Sequence, residues 1–349
     1  MAYELGNYVF DLKKFFPENI FNMITEVRVS NPEIILKEAS ARKKRKKITK
    51  DGKLTVLAAD HPARMVNKSG DDPIAMGNRH EYLGRVLRVV TNPEFDGIMA
   101  TTDIIEDLFI VNHLVKAKGG PSFLDDKVML GSMNRGGLSG TAFEMDDTFT
   151  CFSVDSLRAL RMDGAKIMWR LDTTNKDSAK TMLYCSDIIS QLNKYEMPCF
   201  LEPLFVTSEG YKIKKSLAEM IKVIGVASAM GDSSRNLWLK IPTNDKAAAE
   251  GDYQKIARAT TLPMLMLGGE SAGNPTGTIA EFELGMKAGA TMRGALVGRN
   301  ILFPGKDDPL ATALSVNKVV HNAFTTEQAV DFINKNRDLN LDALTKYIK

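Results

Sequence analysis

The stretch Asn236-Leu237-Trp238-Leu239-Lys240-Ile241-Pro242-Thr243-Asn244 is an apolar run interrupted by one lysine and closed by a proline. Its length and composition predict a buried strand rather than a helix. A lysine in such a strand is costly unless it is paired with a carboxylate, reaches solvent at the strand end, or is neutral. A neutral, desolvated amine attacks carbonyl carbon and forms a Schiff base. Taken alone, the stretch leaves these readings open. Charges recur in similar settings elsewhere: Asp60 after 54–59, Arg170 within 166–171 and Glu202 within 199–204. Period-two alternation puts Arg170 and Asp172 on one face with Trp169 and Leu171 on the other, Trp238 with Lys240, and Glu202 with Phe200 and Leu204. Asp60, Arg170, Glu202 and Lys240 near strand ends predict a polar site, although structural ion pairs would leave the same mark.

These charges need a scaffold that brings distant strands together. Eight strand-like runs recur along the chain at 54–59, 97–101, 128–132, 166–171, 199–204, 237–241, 264–267 and 294–297, separated by helix-length segments such as 216–229 and 279–288. Alternating strands and helices imply a parallel sheet, and eight such units predict a single (β/α)8 TIM barrel. A doubly wound sheet is the alternative, but it commonly carries a Gly-rich turn after its first strand, where this chain has Asp60-His61-Pro62. The expected organisation is an N-terminal helical extension over 1–50, a barrel over 51–325 and C-terminal helices over 326–349, at 326–336 and 341–348. The basic run Ala41-Arg42-Lys43-Lys44-Arg45-Lys46-Lys47 reads as the solvated end of an N-terminal helix, its cations opposing the helix dipole.

Composition narrows the classes. The 349 residues carry 46 basic and 43 acidic side chains, a balance that argues against a nucleic-acid partner. No apolar run approaches a membrane span, and the start of the chain shows no basic-then-apolar signal pattern. Cys151, Cys185 and Cys199 lack paired spacing and read as reduced thiols, so a cytoplasmic location is expected. His61, His80, His113 and His321 show no metal-ligand spacing, so no metal site and no cofactor are expected.

In a barrel, chemistry gathers at the C-terminal strand ends, and phosphate is often held after the last two strands. Gly268, Gly269 and Gly298 allow close approach of backbone N–H groups there, Ser271 adds a hydroxyl and Arg299 a charged donor. They are the expected phosphate-binding residues. Arg64, Arg135, Trp169 and His61 are weaker substrate-contact candidates. Alternation points His61 away from the barrel axis, which favours a structural hydrogen-bonding role over that of a base. The Asn134-Arg135-Gly136-Gly137 stretch reads as either a substrate loop or a surface loop.

The motifs Ala58-Ala59-Asp60-His61, Phe200-Leu201-Glu202, Leu239-Lys240-Ile241-Pro242-Thr243-Asn244, Leu267-Gly268-Gly269 and Gly294-Ala295-Leu296-Val297-Gly298-Arg299-Asn300 resemble, in order, those of the class I Schiff-base aldolases of the DhnA type, which include tagatose-bisphosphate aldolases. They span about 54–302. Leu57-Ala58-Ala59-Asp60-His61-Pro62-Ala63-Arg64 is most similar to a branch linked to inositol catabolism and 6-phospho-5-dehydro-2-deoxygluconate. The resemblance implies a metal-independent lyase in which Lys240 forms an iminium with a ketose phosphate. Glu202 would be the general acid/base, Asp60 would orient Lys240 and substrate hydroxyls, and Arg170 would hold the carbinolamine hydroxyl or an anionic tail. Cleavage would yield dihydroxyacetone phosphate and an aldehyde, malonate semialdehyde for the favoured substrate. Fructose- or tagatose-bisphosphate aldolase, sulfofructose-phosphate aldolase and transaldolase chemistry share the same lysine. A sugar-phosphate-binding barrel without catalysis is the reading of another class. Barrels of this type commonly assemble, so a homo-oligomer is expected.

Overall fold

The computed structural model describes the chain apart from Met1, Gly136, Ser208, residues 244–249 and Lys349. Eight parallel strands close into one barrel in chain order: β1 (Leu54–Ala59), β2 (Gly97–Ala100), β3 (Val128–Ser132), β4 (Gly164–Leu171), β5 (Cys199–Phe205), β6 (Leu237–Pro242), β7 (Met264–Leu267) and β8 (Met292–Val297). The seam is the parallel pairing of β1 with β8, which sets Leu54 opposite Gly294 and Leu57 opposite Val297. Gly294 sits at φ +138°, and a Cβ there would lie 1.9 Å from the Leu54 carbonyl oxygen, so only glycine lets the seam close.

Strand alternation sorts the side chains into two cores. Leu54, Val56, Ala58, Met99, Val128, Leu130, Phe200, Leu265 and Leu296 fill the barrel interior, with Ile48 and Trp238 packed against them. The ring of Phe200 lies 5.4 Å from that of Trp238. Residues of opposite parity, such as Leu57, Ile98, Met129, Ile167, Leu201, Leu239 and Val297, face the surrounding helices. The interior is therefore apolar in its lower layers, and Asp60, just after β1, stands above that filling with the polar side chains of β4, β5 and β6. Among the described residues no helix is long and apolar enough to cross a membrane.

The N-terminal helices Glu18–Ser30 and Ile34–Ala41 lie on helix Thr102–Ala117. Arg28 donates to Glu106 and Asp107, and Glu38 accepts from Asn112 and Lys116. The basic run keeps its expected form in part: Lys43, Lys44, Lys46 and Lys47 are exposed, whereas Arg42 and Arg45 turn inward. The helix ends at Ala41, and the segment beyond it straps the lower rim of the barrel. Arg42 donates to the Lys127 and Arg161 carbonyls and pairs with Asp163 at 3.1 Å, Lys44 reaches Asp163 and Arg45 pairs with Asp96 at 2.9 Å. Carbonyls and carboxylates at the N-terminal strand ends draw Arg42 and Arg45 inward. At the other terminus, helix Thr326–Lys335 forms, but 341–347 is a series of turns that buries Leu344 and Ile348. The left-handed backbone of Asp338 and Asn340, at φ +59° and +51°, interrupts the helical path just before it.

Candidate active site

The C-terminal ends of the strands open into a cavity of about 590 Å³. Lys240, from the middle of β6, reaches it from below and is 6% exposed. Its Nζ donates to Glu202 Oε2 at 2.9 Å. Lys166 of β4 lies 2.9 Å from the same oxygen and 3.4 Å from Asp60 Oδ2. Ser132 at the end of β3 donates to that Asp60 oxygen at 3.3 Å, and Arg64 Nε approaches Asp60 Oδ1 at 3.5 Å. Two carboxylates and three cations are thus held in one buried cluster contributed by β4, β5, β6 and the turn after β1.

Burial alone would raise the Glu202 pKa, but the charges of Lys166, Lys240 and Arg64 hold it at about 2. Asp60 is likewise pushed upward by burial yet kept well below the usual carboxylate range by Arg64 and Lys166. Lys240 moves the other way. Burial lowers its pKa, Glu202 and Asp60 oppose that, and Lys166 adds to it, leaving the amine below the usual lysine range. A lysine that loses its proton more readily, beside an ionised carboxylate, is the arrangement a Schiff-base nucleophile needs.

The expected site residues divide into those gathered here and those placed elsewhere. Asp60, Glu202 and Lys240 come together. Arg170 lines the cavity, but its guanidinium is held by Glu144, 2.7 Å from Oε1. Gly268, Gly269, Gly298 and Arg299 line the wall formed after β7 and β8. Gly269 takes φ +70°, a conformation that keeps this turn open to glycine. Arg299 Nη1 meets the exposed Glu270 at 3.3 Å, and burial lowers the guanidinium pKa. Ser271 does not line this cavity. Its Oγ donates to the Phe303 carbonyl at 2.6 Å, and the residue borders an adjoining cleft with Arg64, Asn67 and Arg299.

Three expectations are corrected. Trp169 is fully buried against the helices outside the barrel, and its indole nitrogen points to the Ser178 carbonyl at 3.5 Å. Its odd position in β4 puts it on the face opposite Arg170, so it meets no substrate. Arg135 does not line the cavity, and it donates to Thr150 Oγ1 at 3.1 and 2.9 Å. Asn134 in the same loop stitches β3 to β4, accepting from the Met168 N–H and donating to the Met168 carbonyl, both at 2.7 Å. His61, in contrast, does face the cavity. Strand alternation ends at Asp60, where the chain enters the 3-10 turn Pro62–Arg64, so parity no longer sets the direction of His61. Burial and the Arg64 charge hold its imidazole well below the usual histidine pKa, and it therefore stands neutral.

Other cavity residues carried a weaker signal. Lys166 shares its parity with Met168 and Arg170, and counting back two steps from Arg170 along β4 would have found it. Glu144 and Ser139 come from the long segment between β3 and β4, where no periodicity marks them. Tyr211 and Lys212 are brought over the cavity by a loop that folds back on β5, with Val206 bridging Ile213 and Thr207 N–H donating to the Lys212 carbonyl. Among the described residues, no group of three or more His, Cys, Asp or Glu side chains gathers in metal-ligating geometry.

Comparison with known proteins agrees with this architecture. The structure of Cgl0159 from Corynebacterium glutamicum superposes with a TM-score of 0.78 at 32% identity, covering 88% of this chain and 98% of that one. A Schiff-base-forming fructose-1,6-bisphosphate aldolase shares the fold with a TM-score of 0.55 at 17% identity, over 82% of this chain and all of its own length. An uncharacterized aldolase of Saccharolobus solfataricus is 27% identical over 148 residues, 42% of this chain, so the chain spans about half the length of the curated relative it matches. The Cgl0159-like family model matches residues 52–318, all eight strands and most of helix Pro309–Asn322, and the chain belongs to the Cgl0159-like family.

Proposed function

We propose that this protein is a class I aldolase that cleaves a phosphorylated ketose or keto-acid through a Schiff base on Lys240. The observation that carries the reading is the buried Lys240 amine at the cavity floor, 2.9 Å from a carboxylate that stays ionised at neutral pH. The neutral amine attacks the substrate ketone. Glu202 carries the amine proton to the carbinolamine oxygen, and a second proton, drawn from solvent through Glu202, lets that hydroxyl depart as water; hydrolysis of the iminium at the end of the cycle gives this proton back. The iminium then accepts the electron pair of the adjacent C–C bond, while a carboxylate, Glu202 or Asp60, removes the proton of the hydroxyl on the departing carbon. An aldehyde leaves, the enamine carbon takes up a proton, and water releases the ketone phosphate from Lys240. No step needs a metal or a redox partner.

The phosphate next to the ketone would lie against Gly268, Gly269, Gly298 and Arg299, where backbone N–H groups and one guanidinium are available. Across the barrel from β8, Arg170 at the end of β4 lines the cavity, with Lys212 on the loop above, while Arg64 stands beside Asp60 and borders the cleft it shares with Arg299. Cations at that end support a substrate whose aldehyde half carries an acid, and 6-phospho-5-dehydro-2-deoxygluconate, giving malonate semialdehyde, is the favoured candidate. Fructose- and tagatose-bisphosphate, sulfofructose phosphate and transaldolase donor–acceptor pairs belong in the same substrate screen. The test is borohydride reduction in the presence of dihydroxyacetone phosphate and EDTA, with the adduct mapped by peptide mass spectrometry. A reduced adduct on Lys240, absent from Lys240→Met, is the expected result. A folded protein that gives no adduct would overturn the proposal, and tight sugar-phosphate binding without turnover would favour a binding barrel.

A further inference from the structure

The cluster holds two lysines, and only one of them can reach substrate. Lys240 lines the cavity, whereas Lys166 is 0% exposed and lies outside its lining. Both Nζ atoms are 2.9 Å from the same atom, Glu202 Oε2. Lys166 adds a contact to Asp60 at 3.4 Å, and that Asp60 oxygen also receives the Ser132 hydroxyl at 3.3 Å. Arg64 approaches the other Asp60 oxygen at 3.5 Å. With all three cations charged, the cluster carries one positive charge more than its two carboxylates neutralise. Burial makes that excess expensive, and the cation able to shed a proton towards the open cavity is Lys240.

We propose that Lys166 is the positioning residue that readies Lys240: it holds Glu202 Oε2 and Asp60 in place, contributes a fixed positive charge beside Lys240, and so keeps the Lys240 amine neutral and nucleophilic. Lys166 forms and breaks no bond in this scheme. It acts by sharing Glu202, which would otherwise serve as a full counterion to a protonated Lys240. The inference rests on the Schiff-base reading for its meaning in catalysis, but the electrostatic relation between the two lysines can be measured without any substrate.

Two measurements separate these levels. The first is competitive acetylation of the intact protein across a pH series, with Lys240 labelling quantified by peptide mass spectrometry. Wild type is compared with Lys166→Met, Lys166→Gln and Lys166→Arg, with elution volume and circular dichroism confirming the fold of each. The two neutral variants are expected to move the half-labelling point of Lys240 upward by about one pH unit or more, lowering its labelling near pH 7 about tenfold. Lys166→Arg is expected to retain the wild-type profile. Gln keeps hydrogen-bonding capacity to both carboxylates, so it remains informative if Met prevents folding. An unchanged Lys240 profile in the folded neutral variants overturns the proposal. The second measurement is borohydride trapping with dihydroxyacetone phosphate on the same proteins. A shifted labelling profile with no trapping even in wild type leaves the link between the lysines standing and removes the aldolase reading. Trapping that maps to Lys166 in place of Lys240 overturns the assignment of roles.

Discussion

Replacing Glu202 by Gln tests the electrostatics of the site in one substitution. The carboxylate titrates at about 2 in the folded chain against an ordinary 4.5, because Lys166, Lys240 and Arg64 outweigh the burial that would raise it. A carboxylate with a depressed pKa stabilises the fold above its unfolded value and loses that contribution as pH falls through the folded one. The contribution is roughly 3 kcal/mol at neutral pH and falls to about half of that near pH 3. Glu202→Gln removes it at every pH, so the gap between wild type and variant should be widest at neutral pH and shrink on acidification. Urea denaturation followed by circular dichroism, near pH 7 and near pH 3, reads that gap directly. In the proposed Schiff-base mechanism, loss of Glu202 as proton carrier should lower kcat by about 100-fold to 10,000-fold. The variant also removes the main group that favours protonated Lys240, so borohydride with dihydroxyacetone phosphate should still trap an adduct on Lys240 at neutral pH. An equal stability loss at both pH values, or a neutral-pH loss below about 1 kcal/mol, would refute the reasoning, because it would mean that the lysines do not hold Glu202 ionised.

Three further outcomes follow from other parts of the molecule. Asp308→Ala should cost about 3–5 kcal/mol in chemical denaturation, because Asp308 is fully buried, holds Arg88 at 3.0 and 2.7 Å, and caps helix Pro309–Asn322 through the Leu310 N–H. Gly298→Ala should lower the melting temperature, with a cost of about 1–3 kcal/mol, and weaken inorganic phosphate binding in calorimetry, since the new Cβ would lie 2.3 Å from His61 Cε1 and 2.6 Å from the Ala58 carbonyl oxygen. His321 loses basicity to burial but regains more from Asp96 and Asp51, each 2.8 Å from a ring nitrogen, and its pKa rises above 6.5. Its stabilisation is present below that value and is lost as pH rises through the folded pKa, so His321→Gln should destabilise the protein more near pH 6 than near pH 9 in thermal melts.

Strand parity made most of the site legible. Asp60, Glu202 and Lys240 were found because a charge in an apolar run stands out, and the barrel converts that mark into a shared location. Lys166 was missed because it begins its run rather than interrupting it, so nothing in the local composition flagged it as inward-facing. His61 and Trp169 were misplaced for opposite reasons. Alternation was carried past the end of β1 for His61, and the parity already assigned to Trp169 was set aside. The loop residues Glu144, Tyr211 and Lys212 left no trace, since their positions depend on tertiary contacts such as the Arg170–Glu144 pair and the Val206–Ile213 bridge. Lys43, Lys44, Lys46 and Lys47 are solvated as their run suggests, but Arg42 and Arg45 were read as solvated too because their partners, Asp163 and Asp96, lie far away in sequence.

The seam between β1 and β8 has a consequence for how the chain acquires its chemistry. Asp60 arrives on the first strand and Arg299 just after the last, so the full set of groups faces one space only when the two ends of the barrel meet. Contacts this remote in sequence are the slow ones to form in folding. A collapsed chain with an open seam would hold Lys166, Glu202 and Lys240 on neighbouring strands while lacking Asp60 and the wall after β8. In refolding, fluorescence of Trp238 in the interior should recover before any capacity to trap a ketone phosphate, making nucleophilicity at Lys240 a clock for ring closure.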